Sequence, residues 1–198
     1  MGGMGAGLIS LSLAGCGLIN QGNSPSLEGE NKREQQNSGY SILVAYFSHT
    51  GNTRKIANQI HEKVGGDIFE IVTVDPYPQD HDACLAQAGK EQASNYRPEL
   101  KTQIENPDLY NVVFIGYPIW LELMPMAMYT FLDKYQMSNK TIMPFCTSRA
   151  SGFGDTVKHI KDLCPQATLA KGLSIYRKDI DNAQNEISSW LRRREMII

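Results

Sequence analysis

The chain has 198 residues, of which 41% are hydrophobic, and a formal net charge of −2. This size and hydrophobic content suffice for one domain with a sizeable core. The charge argues against a nucleic-acid partner, which needs a strongly basic surface. The four cysteines, at positions 16, 84, 146 and 164, form no C-x-x-C pair, so zinc-site and thioredoxin-like spacings are absent. The sequence contains no run of 18 or more apolar residues, so it predicts no ordinary membrane span.

The first 16 residues differ in kind from the rest. A short apolar stretch ends in Leu13-Ala14-Gly15-Cys16, which resembles a bacterial lipobox, in which the cysteine is lipidated and becomes the mature N-terminus. This predicts a lipoprotein-type signal segment over 1–16 and an extracytoplasmic, membrane-anchored protein. A signal peptide begins with basic residues, and residues 1–7 hold no Lys or Arg. The alternative is therefore a disordered leader with an incidental Cys16, on a cytoplasmic protein.

Residues 17–39 indicate a flexible linker. They are rich in Gly, Asn, Gln, Ser and mixed charges, with few large aliphatic side chains, and cannot bury enough apolar surface to fold. A flexible tether of this length spans on the order of 25 Å. The folded domain is expected over 40–198.

The remainder alternates apolar strand patterns with amphipathic helix patterns. Strands are predicted over 42–47, 67–74, 110–116, 141–146 and 167–175. Helices are predicted over 52–64, 80–95, 125–135, 154–163 and 180–193, the second of them exposed. This alternation is typical of right-handed βαβ units and predicts an α/β domain with a parallel, doubly wound sheet.

The first strand pattern ends in a turn rich in hydroxyl groups, Ser48-His49-Thr50-Gly51-Asn52-Thr53, and a helix pattern follows at once. This geometry directs backbone N–H groups and the positive end of a helix dipole at one spot, which suits a phosphate. The turn lacks the Gly-Lys-Ser/Thr ending of a Walker loop. The alternative is an ordinary helix start capped by Asn52 or Thr50.

This turn is similar to the Thr/Ser-x-Thr-Gly-x-Thr motif with which flavodoxins bind the terminal phosphate of FMN. Three further stretches resemble a bacterial flavodoxin-type family in the same order: 95–100 (NYRPEL), 116–120 (GYPIW) and 144–147 (PFCT) followed by 151–154 (SGFG). The resemblance implies a flavodoxin-like five-stranded parallel sheet of order 2-1-3-4-5, with FMN at the carboxyl ends of strands one and three.

The resemblance also implies which residues bind the cofactor. They are Ser48, His49, Thr50, Gly51, Asn52, Thr53, Tyr117, Pro118, Ile119, Trp120, Leu121, Glu122, Thr147, Ser148, Arg149, Ser151, Gly152 and Phe153. No metal ligand and no catalytic side chain is expected. His49 is interpreted as a packing residue rather than a base, and Cys146 as an inert core thiol.

Two loops depart from the family pattern. Glu122 replaces a glycine whose peptide faces the flavin in flavodoxins and can flip on reduction, and Leu121 replaces an aromatic residue. A non-glycine residue at positive φ costs on the order of 1 kcal/mol, so such a flip should be harder. Arg149 stands where family members have small residues. Its guanidinium is expected near the flavin, paired with Glu122, or in water.

Three functions are compatible with these motifs. The first is an FMN-binding electron carrier that serves a redox partner protein or a small electron acceptor. The second is an FMN-dependent NAD(P)H:quinone-type reductase, although no G-x-G-x-x-G fingerprint is present. The third is a flavodoxin-fold protein that has lost its flavin.

Overall fold

Buried apolar strands define the centre of the computed structural model, which describes residues 40–135 and 137–197. The predictions for 1–16, for 17–39 and for Cys16 lie outside these residues. The strands are β1 Ile42–Tyr46, β2 Asp67–Glu70, β3 Val112–Pro118, β4 Thr141–Ser148, β5 Thr168–Leu169 and β6 Leu173–Tyr176. The helices are α1 Asn52–Val64, α2 His81–Ser94, α3 Met126–Tyr135, α4 Thr156–Leu163 and α5 Gln184–Arg192, with 3-10 turns at Pro107–Leu109 and Arg177–Asn182.

The strands form one sheet of order β2-β1-β3-β4-β5, and all named pairs are parallel. The predicted α/β class and strand order are thereby confirmed. β1 contributes Leu43 and Ala45 to one hydrophobic cluster and Val44 and Tyr46 to another, so it is buried on both faces. Helices α2, α3 and α4 cover the first cluster, and α1 and α5 cover the second. The ends of β1, β3 and β4 therefore meet at one edge of the sheet.

The predicted fifth strand, 167–175, is divided in two. Ile142 of β4 pairs with Leu169, and Phe145 pairs with Leu173, so three residues of the edge segment oppose two of β4. Pro144 lies in this interval and has no N–H for the ladder, which explains the local bulge. The indole N–H of Trp190 donates to the carbonyl of Lys171 in the bulge, at 2.9 Å.

Helix α2 is present as predicted but is not simply exposed. The Asp80 side chain caps it by accepting from the Ala83 N–H at 2.9 Å, and Asn95 ends it at φ 52°. One side of the helix buries Cys84, Ala88 and Glu91.

The final helix begins later than predicted, because 177–182 forms a 3-10 turn. Within the described ranges no helix has the length and apolarity needed to cross a membrane.

Candidate functional site

A cavity of about 460 Å³ opens at the carboxyl edge of the sheet. Its volume lies within the range of small-molecule sites. The lining residues are Ser48, His49, Thr50, Asn52, Thr53, His81, Cys84, Leu85, Pro118, Ile119, Trp120, Leu121, Glu122, Thr147, Ser148, Arg149, Ala150, Ser151 and Arg177. The structure thus brings the three predicted loops, after β1, β3 and β4, around one space.

Four of the predicted residues do not line this cavity: Gly51, Tyr117, Gly152 and Phe153. Tyr117 is fully buried, and its hydroxyl lies 3.0 Å from that of Thr156, beneath the start of α4. It points there because successive side chains of a strand alternate between faces, so the expectation that Tyr117 lies beside the ligand is not supported. Gly51 contributes backbone geometry at the start of α1.

The first turn of α1 has the features of an anion site. Gly51 is the N-cap residue at φ 87° and has no side chain to cap the helix, and the first turn holds no acidic residue. The capping by Asn52 or Thr50, considered from the sequence, is not observed. Ser48 Oγ accepts from the Arg54 N–H at 3.2 Å. The start of α1 therefore presents positive potential to the cavity with no carboxylate of its own first turn to offset it.

Two buried hydroxyl groups join the first and third loops. Thr53 Oγ1 lies 2.9 Å from Thr147 Oγ1, and both residues line the cavity. Either hydroxyl can be the donor. Each hydroxyl group carries one hydrogen, and the hydrogen bond between the two groups needs only one of them. The other hydrogen stays free to donate to a ligand. The contact also places the start of α1 over the end of β4.

Trp120 is held rigidly by aromatic neighbours. Its ring lies 5.0 Å from that of Tyr77 and 5.6 Å from those of Phe47 and His49, all in edge-on geometry. Gln92 donates to the Trp120 carbonyl at 3.0 Å. His49 Nε2 lies 2.8 Å from the Pro78 carbonyl oxygen and donates to it, which agrees with the packing interpretation of this histidine. Trp120 is only 9% exposed, so it forms a fixed wall.

A tight turn at Leu121 and Glu122 follows this tryptophan. The Trp120 N–H donates to the Leu123 carbonyl at 2.8 Å, and the Leu123 N–H donates back to the Trp120 carbonyl at 3.0 Å. Leu121 has φ 49° and Glu122 has φ 64°, as in a type I′ turn, which favours Asn-Gly. Glu122 thus has the positive φ expected from its position, and Leu121 has it as well. Each side chain costs roughly 1–2 kcal/mol in this conformation.

Charged groups surround the cavity without pairing across it. Glu122, Arg149 and Arg177 all line it and all are exposed. The structure records ion pairs of Arg54 with Glu70, Lys55 with Asp181 and Arg97 with Asp133. Within the residues that it describes, no ion pair joins Arg149 to Glu122, which removes one of the three expectations for this arginine.

Comparison with known proteins identifies the family. The family model described as Flavodoxin matches residues 41–194. The chain belongs to the flavodoxin family. A protein described as a flavoprotein from Bacteroides eggerthii is 33% identical, with a TM-score of 0.68, over 77% of this chain and 96% of that one. Another from Bacteroides uniformis is 28% identical, with a TM-score of 0.69, over 77% and 98%.

A third crystal structure, a flavoprotein from Lactobacillus acidophilus in complex with FMN, is 20% identical, with a TM-score of 0.57, over 72% of this chain and 97% of that one. At this identity the likeness shows the flavodoxin fold alone. No curated protein matches the chain.

Several cavity residues were not expected from the flavodoxin motifs. Helix α2 contributes His81, Cys84 and Leu85, and the segment after β6 contributes Arg177. The Ala-rich pattern of α2 does not indicate which side faces a ligand. Burial, and then the nearby charge of Glu91, raise the pKa of Cys84 to about 11, so this thiol stays protonated at neutral pH.

Cys146 on β4 is a second buried thiol. Burial raises the pKa of Cys146 to about 12, in agreement with its interpretation as an inert core thiol. Among 40–135 and 137–197 no group of three His, Cys, Asp or Glu side chains could hold a metal ion. The thiols of Cys84 and Cys146 therefore both stay protonated at neutral pH.

Proposed function

We propose that this chain binds FMN and acts as an electron carrier for a partner protein or a small acceptor. The observation that carries the proposal is the turn at 48–53, which directs the N-terminus of α1, with glycine as its N-cap residue, into the cavity. Family membership supports it, as does the FMN complex of the Lactobacillus acidophilus flavoprotein.

The residues that line the cavity support this proposal. The hydroxyl groups of Thr50 and Thr53, with the amides of 49–53, would hold the phosphate. Leu85, Ile119 and Leu121 give the cavity an apolar wall beside the fixed indole of Trp120. A flat ring placed against such a wall is oriented and partly shielded from water.

When bound, FMN supplies the redox chemistry, and the protein sets its environment. Apolar contacts make a charged reduced ring less favourable and lower its reduction potential. The charge of Glu122 would lower the potential further. These effects belong to an electron carrier, which needs a tuned potential and an accessible ring edge.

The reductase alternative requires a hydride donor, and this requirement can be tested with an activity assay. We expect the FMN-loaded protein to consume NADH or NADPH with a quinone no faster than free FMN does. Turnover well above that control would overturn the carrier assignment in favour of the reductase.

Replacing Thr53 by alanine is expected to weaken FMN binding by roughly 1–2 kcal/mol, the scale of a hydrogen bond to a charged group. The Thr147 hydroxyl would also lose its buried partner. The measurement is fluorescence titration of FMN with apoprotein. Thr53→Ser keeps the hydroxyl and should retain most of the affinity. An unchanged affinity of Thr53→Ala would contradict this placement of the phosphate.

We also propose that Cys16 carries the lipid anchor and that 17–39 forms a tether for the domain. The support is the sequence Leu13-Ala14-Gly15-Cys16 before a polar segment. Two or more acyl chains anchor stably where one does not. In a bacterial host, the wild-type protein should sediment with membranes and Cys16→Ser should be soluble. Equal fractionation of the two proteins would exclude the lipobox.

A further inference from the structure

Arg149 and Arg177 directly follow two paired residues at the end of the sheet. Ser148 of β4 and Tyr176 of β6 are paired in the parallel ladder, and each arginine is the next residue of its chain segment. Neighbouring strands lie roughly 4.8 Å apart, so the two backbones leave the sheet side by side. Both arginines are exposed and both line the cavity.

This pair of positive charges has no negative partner that the structure describes. Neither arginine takes part in an ion pair recorded for 40–135 and 137–197. Glu122 is the one carboxylate among the cavity-lining residues in this part of the chain, and it pairs with neither arginine. Two like charges that line the same cavity repel each other, and a bound anion would relieve this repulsion.

The pair lies on the side of the cavity next to the anion-binding turn. The contact between Thr53 and Thr147 places the start of α1 over the end of β4, the strand beside β6. Lys55 of α1 pairs with Asp181 at 2.8 Å, and Asp181 lies in the 3-10 turn that begins at Arg177. One contact thus joins α1 to the Arg177 segment directly, and the other joins α1 to β4, which leads to Arg149.

We propose that Arg177, with Arg149 beside it, binds the phosphate of a phosphomonoester ligand opposite the hydroxyl groups and amides of 48–53. The proposal takes its ligand, FMN, from the proposed function. A guanidinium can donate two parallel hydrogen bonds to phosphate oxygens. It would supply the full positive charge that the turn lacks, and the site would favour phosphorylated flavin over the same ring without phosphate.

The experiment compares FMN with riboflavin, which lacks the phosphate, in titrations of apoprotein. Arg177→Gln should weaken FMN binding about tenfold or more, and Arg149→Gln/Arg177→Gln should weaken it further. Riboflavin affinity should change less than about twofold. Lys178→Gln is the matched control, because Lys178 is the next residue, is exposed and does not line the cavity. It should leave both affinities unchanged.

Two results would overturn the proposal. Equal weakening of FMN and riboflavin would place the arginines on the ring rather than the phosphate. Unchanged FMN affinity in the double variant would show that they are solvated or serve a second anion.

A separate titration with inorganic phosphate, followed by ³¹P NMR, distinguishes this failure from that of the proposed function. The wild-type protein could bind phosphate but no FMN, with phosphate binding lost in Arg177→Gln. That result would support the arginine site and contradict the FMN assignment. If the wild-type protein binds neither, both fall.

Discussion

Replacing Gly116 by alanine is expected to destabilise the fold by about 3 kcal/mol, near the upper end for overpacking. A Cβ at this position would lie 2.1 Å from Phe145 Cζ. The two residues are direct partners in the β3–β4 ladder, and the Phe145 ring is fully buried, so the ring has no free space. For a domain of this size the melting temperature should fall by roughly 6–12 °C.

Gly89→Ala is the matched control, with the opposite expected sign. Gly89 lies inside α2, and an added Cβ would meet only Leu121 Cδ1, at 3.4 Å. Alanine is favoured over glycine in a helix by about 0.5–1 kcal/mol, so this variant should be as stable as the wild type or more stable. Equal melting temperatures for the two alanine variants would contradict the packing of Phe145 over Gly116.

Replacing Glu122 by glycine is expected to raise the reduction potential of bound FMN. Removing a negative charge makes the uptake of an electron easier. A unit charge about 6 Å from the ring is worth roughly 3 kcal/mol at an effective dielectric near 20, or on the order of 100 mV for one electron. Salt and the exposure of Glu122 reduce this effect. The measurement is a spectroscopic redox titration at low salt.

Glu122→Gln separates charge from backbone strain at the same position. It removes the charge but keeps a side chain at φ 64°, so it should raise the potential like glycine without a gain in stability. The glycine variant should also gain up to about 1 kcal/mol of stability by relieving the left-handed conformation. If both variants shift the potential by less than about 25 mV, the charge does not tune the flavin.

The sequence predicted the fold well because its signals are local. The buried run before Ser48, the glycine at 51 and the apolar spacing of α1 predicted the first βα unit with its observed helix bounds, Asn52–Val64. Repetition of this pattern predicted the parallel sheet. The resemblance supplied the strand order, which composition and periodicity do not contain.

Features that depend on contacts between distant segments could not be predicted. The break in the fifth strand arises from Pro144 on the neighbouring strand. Tyr117 is buried away from the cavity because α4 packs against β3 and places Thr156 beside the Tyr117 hydroxyl. Arg177 reaches the cavity because β6 pairs with the end of β4, far away in sequence. For these residues the tertiary arrangement, not the local pattern, decides the position.

The most direct test of the central claim is the visible absorption spectrum of the purified protein after addition of FMN and removal of the unbound cofactor. We expect the protein to retain FMN in about a one-to-one ratio, with a flavin spectrum that is perturbed relative to free FMN and bleaches reversibly on reduction. A wild-type protein that stays colourless with excess FMN would contradict the account and identify a flavodoxin-fold protein that works without flavin.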